Sequence, residues 1–447
     1  MILFRRRLFV WLVKAYIKRW GKRILVFFLL GIIASYFLFG AVTNIIAKIP
    51  ITKKETVGLI GAYTVDNLPP VVLGDISEGL TKVSPSGEPM PAIAKSWKVQ
   101  DNGKTYIFNL KTDLHFTDGS KVTSKEINYN FTDATLSKPS DYTVVFKLKN
   151  VYSPFLVTVS RPIFKNGTIG IGPYKITDIK LNGSFVQSIS LALSTDSYKI
   201  KKYTFYPTEE AVKTAFLLGE ISKADLGDLS LDKTNFAKSP NLHYSKSVDY
   251  TRLVTLFYNT VDSDLSNPKL RLALTYALPD QFPQGERAAS LYPPTSFAYA
   301  DQFIKTRDID HAKILMASTT SGTKLKVTIK ALSRYESAAK VVANAWKDIG
   351  VDAKIELVDT VPNNFQIFLG DFSVPLDPDQ YMLWHSSQDT NITNYKNLRI
   401  DKLLEDGRTT LDQEERTKIY YDFQKYLLED APASFLYFPN DFSISRR

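Results

Sequence analysis

Few residues of this chain have the types and spacing that catalysis or metal binding requires. Cysteine is absent from the 447 residues, which excludes disulfides, thiol catalysis and cysteine-ligated metal sites. The four histidines, His115, His243, His311 and His385, are not in a paired metal-ligand spacing such as H-E-x-x-H. We therefore expect no catalytic residue, no metal site and no cofactor, and we predict a protein that is not an enzyme.

A glycine-rich stretch is a further candidate for a chemical site. Gly167, Gly170 and Gly172 faintly resemble a nucleotide-binding loop, but the residues after Pro173 have a pattern typical of a strand. A phosphate is usually held at the N-terminus of a helix, where backbone N–H groups point at it. Because a strand follows these glycines, we do not expect a nucleotide site.

The net charge of +10 is concentrated at the N-terminus. The first 23 residues contain eight lysines and arginines and no acid, so the rest of the chain is almost neutral, with 48 basic and 46 acidic residues. A nucleic-acid-binding protein is expected to carry its basic patch on the folded domain. We therefore expect no nucleic-acid partner.

An uncharged apolar segment follows these basic residues. Residues 24–47 contain no charge, and 24 helical residues at about 1.5 Å each can cross a hydrocarbon core of about 30 Å. The bases before the segment outnumber those just after it, which favours a cytoplasmic N-terminus. We expect a single-pass anchor in the membrane lipid, with the rest of the chain extracytoplasmic. A cleaved signal peptide is the alternative, although its apolar region is usually shorter, about 7–15 residues.

Residues 324–358 give the clearest indication of fold class. Leu325, Val327 and Ile329 alternate as in a strand, and an amphipathic helical pattern follows up to Gly350. A second strand pattern comes directly after that glycine. Parallel strands need such a crossover connection, usually a helix, so we predict an α/β domain.

Residues 94–131 combine a hairpin with several turn signals. Asn102-Gly103 is typical of a tight hairpin turn, and Thr123 with Glu126 forms a capping box that predicts a helix up to about Ala134. The segment resembles the signature of the family 5 extracellular solute-binding proteins, the dipeptide- and oligopeptide-binding components of ABC importers. The matching residues are, in order, Trp97, Gly103, Lys104, Tyr106, Phe108, Leu110, Phe116, Asp118, Gly119, Val122, Thr123, Tyr129 and Phe131.

Further matches to this family follow in the expected order. The sequence GIGPY at 170–174 resembles its G-T-G-P-Y/F motif, and residues 256–278 resemble its strand and following helix. The segment containing Asp377-Pro378 and the tail at 404–438 also match. The resemblance covers about residues 57–440. It implies an α/β, two-lobed fold of the type II periplasmic-binding-protein kind with an extra subdomain, here preceded by one transmembrane helix.

These inferences divide the chain into segments. In the family, the chain passes from the first lobe to the second and back, and ligand is trapped when the lobes close about a hinge. We expect a basic cytoplasmic segment (1–23), a transmembrane helix (24–47), a linker (48–56), a first lobe (57–261) with a subdomain at about 90–165, a second lobe (262–400) and a return to the first lobe (401–447).

The resemblance also implies a ligand site. In this family an acid holds the N-terminal amine of the peptide and, in dipeptide binders, a base holds its C-terminal carboxylate, both through charge-assisted hydrogen bonds. Asp371 is the matching acid, or Asp377 if the alignment shifts, and Arg334 is the candidate base. Trp384 and Tyr381 are candidates to line the cleft, with a place in the core as the alternative.

The leading hypothesis is a membrane-anchored solute-binding protein that captures peptides between two lobes and delivers them to the permease subunits of an ABC importer. The alternative is a membrane-tethered receptor or scaffold of the same fold that binds no small ligand. The chain departs from the family in its apolar N-terminal segment, which replaces a lipid anchor or cleaved signal, and in shorter segments near 132–142 and 279–300. The two hypotheses differ in whether a peptide binds in the cleft.

Overall fold

The computed structural model describes residues 2–48, 52–227, 241–319 and 324–446 of the chain. The side chains of residues 2–8, 24 and 36–48 are outside this description. The chain divides into two compact units, Met1–Lys54 and Glu55–Arg447. The first unit is mainly one long helix, and the second contains the α/β fold.

The first unit is built on helix α1 (Ile2–Lys48), which is 47 residues long. It includes the predicted segment 24–47, in which residue 24 and residues 36–47 lie outside the described side chains. Within the described residues, none of the helices combines the length and the apolar character needed to cross a membrane. Strand β1 (Lys53–Ile60) begins inside the predicted linker 48–56, of which residues 49–51 are outside the description.

The described part of the α/β fold contains 17 further strands and nine further helices. The strands are β2 (Thr81–Val83), β3 (Pro89–Pro91), β4 (Ala94–Gln100), β5 (Thr105–Leu110), β6 (Ala134–Ser140), β7 (Thr143–Leu148), β8 (Tyr174–Asn182), β9 (Phe185–Leu193), β10 (Asp196–Tyr206), β11 (Lys223–Leu226), β12 (Leu242–Val248), β13 (Arg252–Tyr258), β14 (Gly285–Arg287), β15 (Lys326–Leu332), β16 (Asp352–Val358), β17 (Ile367–Ser373) and β18 (Ala433–Arg446). The helices are α2 (Pro70–Ile76), α3 (Phe155–Thr158), α4 (Glu209–Leu218), α5 (Pro268–Tyr276), α6 (Ile309–Ala317), α7 (Glu336–Lys347), α8 (Tyr381–Trp384), α9 (Leu398–Thr409) and α10 (Gln413–Asp430).

One large sheet runs through the fold in the order β16-β15-β17-β13-β18-β11-β1-β10-β9-β8, with β12 and β14 also paired to β18. The 14-residue strand β18 joins its two halves, because residues 433–437 pair with β13 and residues 440–446 pair with β12. We call β1 and β8–β12 with their helices the first lobe, and β13–β17 with theirs the second lobe. The parallel pairing of β15 with β16 agrees with the predicted strand–helix–strand unit.

The largest core lies in the second lobe and includes the long C-terminal helices. Trp346 of α7 is fully buried and donates its indole N–H to the Leu274 carbonyl oxygen over 2.9 Å. Leu404 of α9 and Tyr420 of α10 belong to the same core. The observed second lobe therefore runs from β13 through α10, whereas our prediction placed it at 262–400. The chain returns to the first lobe only along β18, because the apolar faces of α9 and α10 are buried in the second-lobe core.

The predicted subdomain forms a separate four-stranded antiparallel sheet, β4-β5-β7-β6, with its own aromatic core. The capping box of Thr123 and Glu126 is present, but it starts only a 3-10 turn (Ser124–Glu126). The prediction of a helix up to Ala134 is therefore wrong. Tyr129 instead packs against the aromatic core, where its hydroxyl donates to a backbone carbonyl oxygen over 2.8 Å.

The glycine-rich stretch serves close packing of the backbone. A Cβ at Gly170 would lie 2.0 Å from the Ile76 carbonyl oxygen, and one at Gly172 would lie 2.6 Å from the Asp75 carbonyl oxygen. The element that follows is strand β8, as predicted. Glycine is required here because this stretch passes directly against the end of α2.

Candidate ligand-binding cleft

Two segments of the chain cross between the lobes, and a cleft lies beside them. One is the connection from β12 to β13 at 249–251, and the other is the middle of β18. The backbone N–H of Asp249 donates to the Pro439 carbonyl oxygen over 2.8 Å, which ties the two crossings together. The cleft has a volume of about 530 Å³. Its walls include Ile60 and Asp225 from the first lobe, Arg252, Arg334 and Tyr335 from the second, and Asp441 from β18.

Arg334 and Asp371, which the family resemblance assigned to opposite ends of a bound peptide, form an ion pair. Arg334 follows β15 and Asp371 lies on β17, and these strands are parallel neighbours, so both residues reach the same edge of the sheet. Arg334 Nη2 donates to Asp371 Oδ1 over 2.5 Å. The Asp371 side chain is 11% exposed and the Arg334 side chain 57%. The pair therefore presents a guanidinium, rather than a carboxylate, to the cleft.

Tyr335 and Arg252 complete the second-lobe wall. Burial, and next the charge of Asp371, raise the pKa of the Tyr335 phenol to about 12, so its hydroxyl stays protonated at neutral pH. Arg252, the first residue of β13, donates from Nε to Asp249 Oδ2 over 2.6 Å. A guanidinium has five N–H donors, so each arginine of this wall keeps donors for a ligand after pairing with one carboxylate.

Two carboxylates on the first-lobe side have no lysine or arginine within 4.0 Å in the described part of the chain. Asp225 of β11 pairs in register with Ser443 of β18, and Asp441 lies two residues before Ser443, on the same face of the strand. Burial, followed by repulsion from Asp225 and Asp249, raises the pKa of Asp441 to about 6. This side of the cleft is therefore short of positive charge and is suited to a cationic group of a ligand.

The other three predicted ligand residues lie away from the cleft. Asp377 is buried and accepts two hydrogen bonds from the Arg416 guanidinium, at 2.7 and 3.1 Å. Trp384 is 1% exposed in the second-lobe core. Tyr381 stacks on His385, with ring centroids 4.1 Å apart, beside a different cavity. The structure does not bring these three predicted residues to the cleft, because each side chain has packing partners within the second lobe.

Sequence reasoning missed Asp225, Arg252 and Asp441. Each is a charged residue within or at the start of a strand, and that is the only signal that the sequence offers. The signal is weak because exposed positions of strands are often charged. Only the pairing of β11 with β18, together with the crossing into β13, brings these three residues to one cleft.

An α/β sheet divided into two lobes, with a charged cleft at the segments that cross between them, defines a solute-binding protein of the two-lobed kind. The chain belongs to the bacterial extracellular solute-binding proteins of family 5, because the model of the middle region of that family matches residues 88–394. This confirms the family that the sequence motifs indicated. The family consists of solute-binding proteins rather than enzymes.

Named relatives agree with this assignment. The oligopeptide-binding protein AppA of Bacillus subtilis is 24% identical over an alignment of 463 positions, which covers 85% of this chain and 83% of AppA. Its structure with a nonapeptide has a TM-score of 0.69 at 22% identity and covers 89% of this chain and 95% of that one. The substrate-binding protein CtaP of Listeria monocytogenes has a TM-score of 0.77 at 23% identity, covering 89% and 94%. NikZ of Campylobacter jejuni, solved with Ni(L-His), has a TM-score of 0.74 at 21% identity, covering 89% and 94%.

Proposed function

We propose that this protein is the peptide-binding component of an ABC importer and that it captures peptides in the cleft between its lobes. The observation that carries the proposal is the distribution of charge in the cleft, with Arg252 and Arg334 on the second-lobe side and Asp225 and Asp441 on the other. A peptide is a zwitterion, so its two ends need charges of both signs. The names of the relatives favour a peptide over other solutes, since AppA is called an oligopeptide-binding protein and was solved with a nonapeptide.

In this proposal Arg334 binds the C-terminal carboxylate of the peptide. Its side chain is 57% exposed and keeps donors beyond the one given to Asp371. Asp371 holds the guanidinium in place, and Asp225 and Asp441 on the first-lobe side accept the peptide amine. Both contacts are charge-assisted, and they strengthen when the lobes close and exclude water.

We also propose that the chain is anchored in the membrane by residues 24–47, with the N-terminus cytoplasmic and the lobes outside, where they deliver ligand to the permease subunits. The proposal depends on the sequence, because these 24 uncharged residues follow a segment that contains eight bases and no acid. Protease added outside spheroplasts is expected to remove the mass after residue 55. Full protection of the chain would contradict this orientation.

A scaffold that binds no small ligand is the second candidate. One observation favours it: Asp371 and Arg334 already neutralise each other, so the carboxylate of a peptide must compete with Asp371 for the guanidinium. A protein that has lost its ligand would keep the fold, and its former ligand-binding groups would pair with each other.

Native mass spectrometry of the full chain, purified in detergent without refolding, separates the two candidates. We expect added mass that resolves into short peptides on denaturation, because a closed cleft retains its ligand. An apo mass that stays unchanged after incubation with a mixed peptide pool would contradict peptide binding and support the scaffold.

A further inference from the structure

A second cavity, with a volume of about 590 Å³, lies between the subdomain and the second lobe. Strands β6 and β7 and the segment before α3 form one side, and α8 with the last turn of α9 form the other. It shares no lining residue with the cleft between the lobes, within the residues that the structure describes. Its volume is in the range of about 300–1,000 Å³ that is typical of sites for small molecules.

Aromatic rings from both sides wall this cavity. Phe131 and Phe155 of the subdomain contact each other edge to face, with ring centroids 5.8 Å apart. Tyr381 of α8 is fixed from two directions, by the His385 ring at 4.1 Å and by the Arg408 guanidinium at 4.0 Å from its centroid. Rings that are held in place in this way form a rigid surface for an apolar or aromatic group.

Two carboxylates line the described part of this cavity, and one of them, Asp133, is paired with Lys149 at 3.1 Å. Arg408 is neutralised by Asp379, since its Nε lies 2.8 Å from Asp379 Oδ2 and the Asp379 side chain is only 10% exposed. Glu405 is 54% exposed, and in the described part of the chain no lysine or arginine lies within 4.0 Å of its carboxylate. Its ionisable neighbour is His385, whose Nε2 lies 3.5 Å away, is buried and has no hydrogen-bond partner among the described residues.

We propose that this cavity is a second ligand site, which takes a small molecule with an aromatic or branched apolar body and a primary ammonium group. The rings of Phe131, Phe155 and Tyr381 bind the body. Glu405 at the wall accepts hydrogen bonds from the ammonium group, and such charged contacts are about twice as strong as neutral ones. A carboxylate in the same position would be repelled by Glu405, so the site prefers the ammonium group.

Because the cavity lies between the subdomain and the second lobe, a bound ligand would contact both. Two hydrogen bonds beside it already join the subdomain to α9, from Ser153 N to the Arg408 carbonyl oxygen at 2.7 Å and from Ser153 Oγ to the Gly407 carbonyl oxygen at 2.9 Å. A ligand that fills the cavity adds contacts across the same junction. Its binding therefore stabilises the subdomain against the second lobe.

The test uses the full chain in detergent, with phenethylamine as probe and 3-phenylpropionate as its charge-reversed counterpart. Titration calorimetry is expected to show saturable 1:1 binding of phenethylamine, with 3-phenylpropionate at least tenfold weaker. Glu405→Gln should weaken phenethylamine at least fivefold, whereas Glu414→Gln, the same change at an exposed position of α10, should leave it unaltered. Circular dichroism and the unfolding midpoint verify that both variants fold.

Three results would overturn the proposal. The first is an absence of saturable phenethylamine binding, and the second is equal affinity for the two probes. The third is an unchanged affinity in Glu405→Gln together with a loss in Asp441→Asn, which would place the amine in the cleft between the lobes instead.

Discussion

Arg334 Nη2 donates a hydrogen bond to Asp371 Oδ1 over 2.5 Å, from the turn after β15 to the edge of β17. Because Asp371 is 11% exposed and Arg334 57%, the aspartate is the covered partner and the arginine the one that a ligand meets. The carboxylate of a peptide must therefore share the Arg334 guanidinium with Asp371 or displace Asp371 from it.

Replacement of Arg334 tests its role in binding the peptide. Arg334→Gln is expected to weaken a peptide with a free C-terminal carboxylate by about 1.5–3 kcal/mol, the scale of a hydrogen bond to a charged group, measured by calorimetry. The C-terminally amidated form of the same peptide should lose far less. Arg334→Gln together with Asp371→Asn should cost less than the sum of the two single changes, because each single change leaves the other charge unpaired. Strictly additive losses would contradict a direct coupling of the two residues.

The buried pair of Asp377 and Arg416 is expected to act on stability rather than on ligand binding. Both side chains are 8% exposed, so Asp377→Asn leaves a buried guanidinium without its counter-charge and should cost about 3–5 kcal/mol in urea unfolding. Asp133→Asn is the matched control, because its pair with Lys149 is 79% and 68% exposed and should change stability by at most about 1 kcal/mol. An unfolding free energy that stays at the wild-type value in Asp377→Asn would show that the pair contributes nothing to the fold.

Asp441 is expected to make stability fall as pH rises. Its folded-state pKa of about 6 lies above the ordinary value of about 3.9, so between these pH values the native state binds more protons than the unfolded state. Stability is therefore lost from about pH 4 to about pH 6, and the full loss remains at higher pH. Asp441→Asn should match the wild type near pH 4 and exceed its unfolding free energy at neutral pH. A difference between the two proteins that is constant over this range would refute the assignment.

Replacement by alanine is expected to destabilise the protein at Gly170 but not at the nearby Gly74. Gly170→Ala places a methyl group 2.0 Å from the Ile76 carbonyl oxygen, and overpacking of this kind costs about 1–3 kcal/mol. At Gly74, in α2, an added Cβ meets nothing within 4 Å, so Gly74→Ala should be neutral or stabilise the helix by up to about 1 kcal/mol. Thermal unfolding of the two variants measures the contrast, and equal midpoints would show that the loop relaxes without cost.

Local patterns determined several parts of the molecule. The alternation at Leu325, Val327 and Ile329, followed by an amphipathic helix and a second strand, was sufficient for the parallel unit of β15, α7 and β16. The family motifs fixed the two-lobed class through many matches in order. These features can be predicted from the sequence because strand alternation, helical spacing and turn residues depend on residues that are close together in the chain.

The tertiary structure decided where the charged residues meet. Thr123 and Glu126 form their capping box, yet only a 3-10 turn follows, and Tyr129 and Phe131 pack against the aromatic core of the subdomain. The segment around Asp377 resembles a ligand-site segment of the family. In the structure, Asp377 forms a buried ion pair with Arg416, which lies 39 positions later in the chain.

The sequence alone therefore determined the family, the class of fold and the candidates Arg334 and Asp371. Only the three-dimensional structure decided that these two pair with each other, that Asp225 and Asp441 face the same cleft, and that α9 and α10 belong to the second lobe. The physical reason is that ion pairs and shared cores join residues far apart along the chain. Their meeting is set by the path of β18 and the packing of whole elements, which local spacing does not encode.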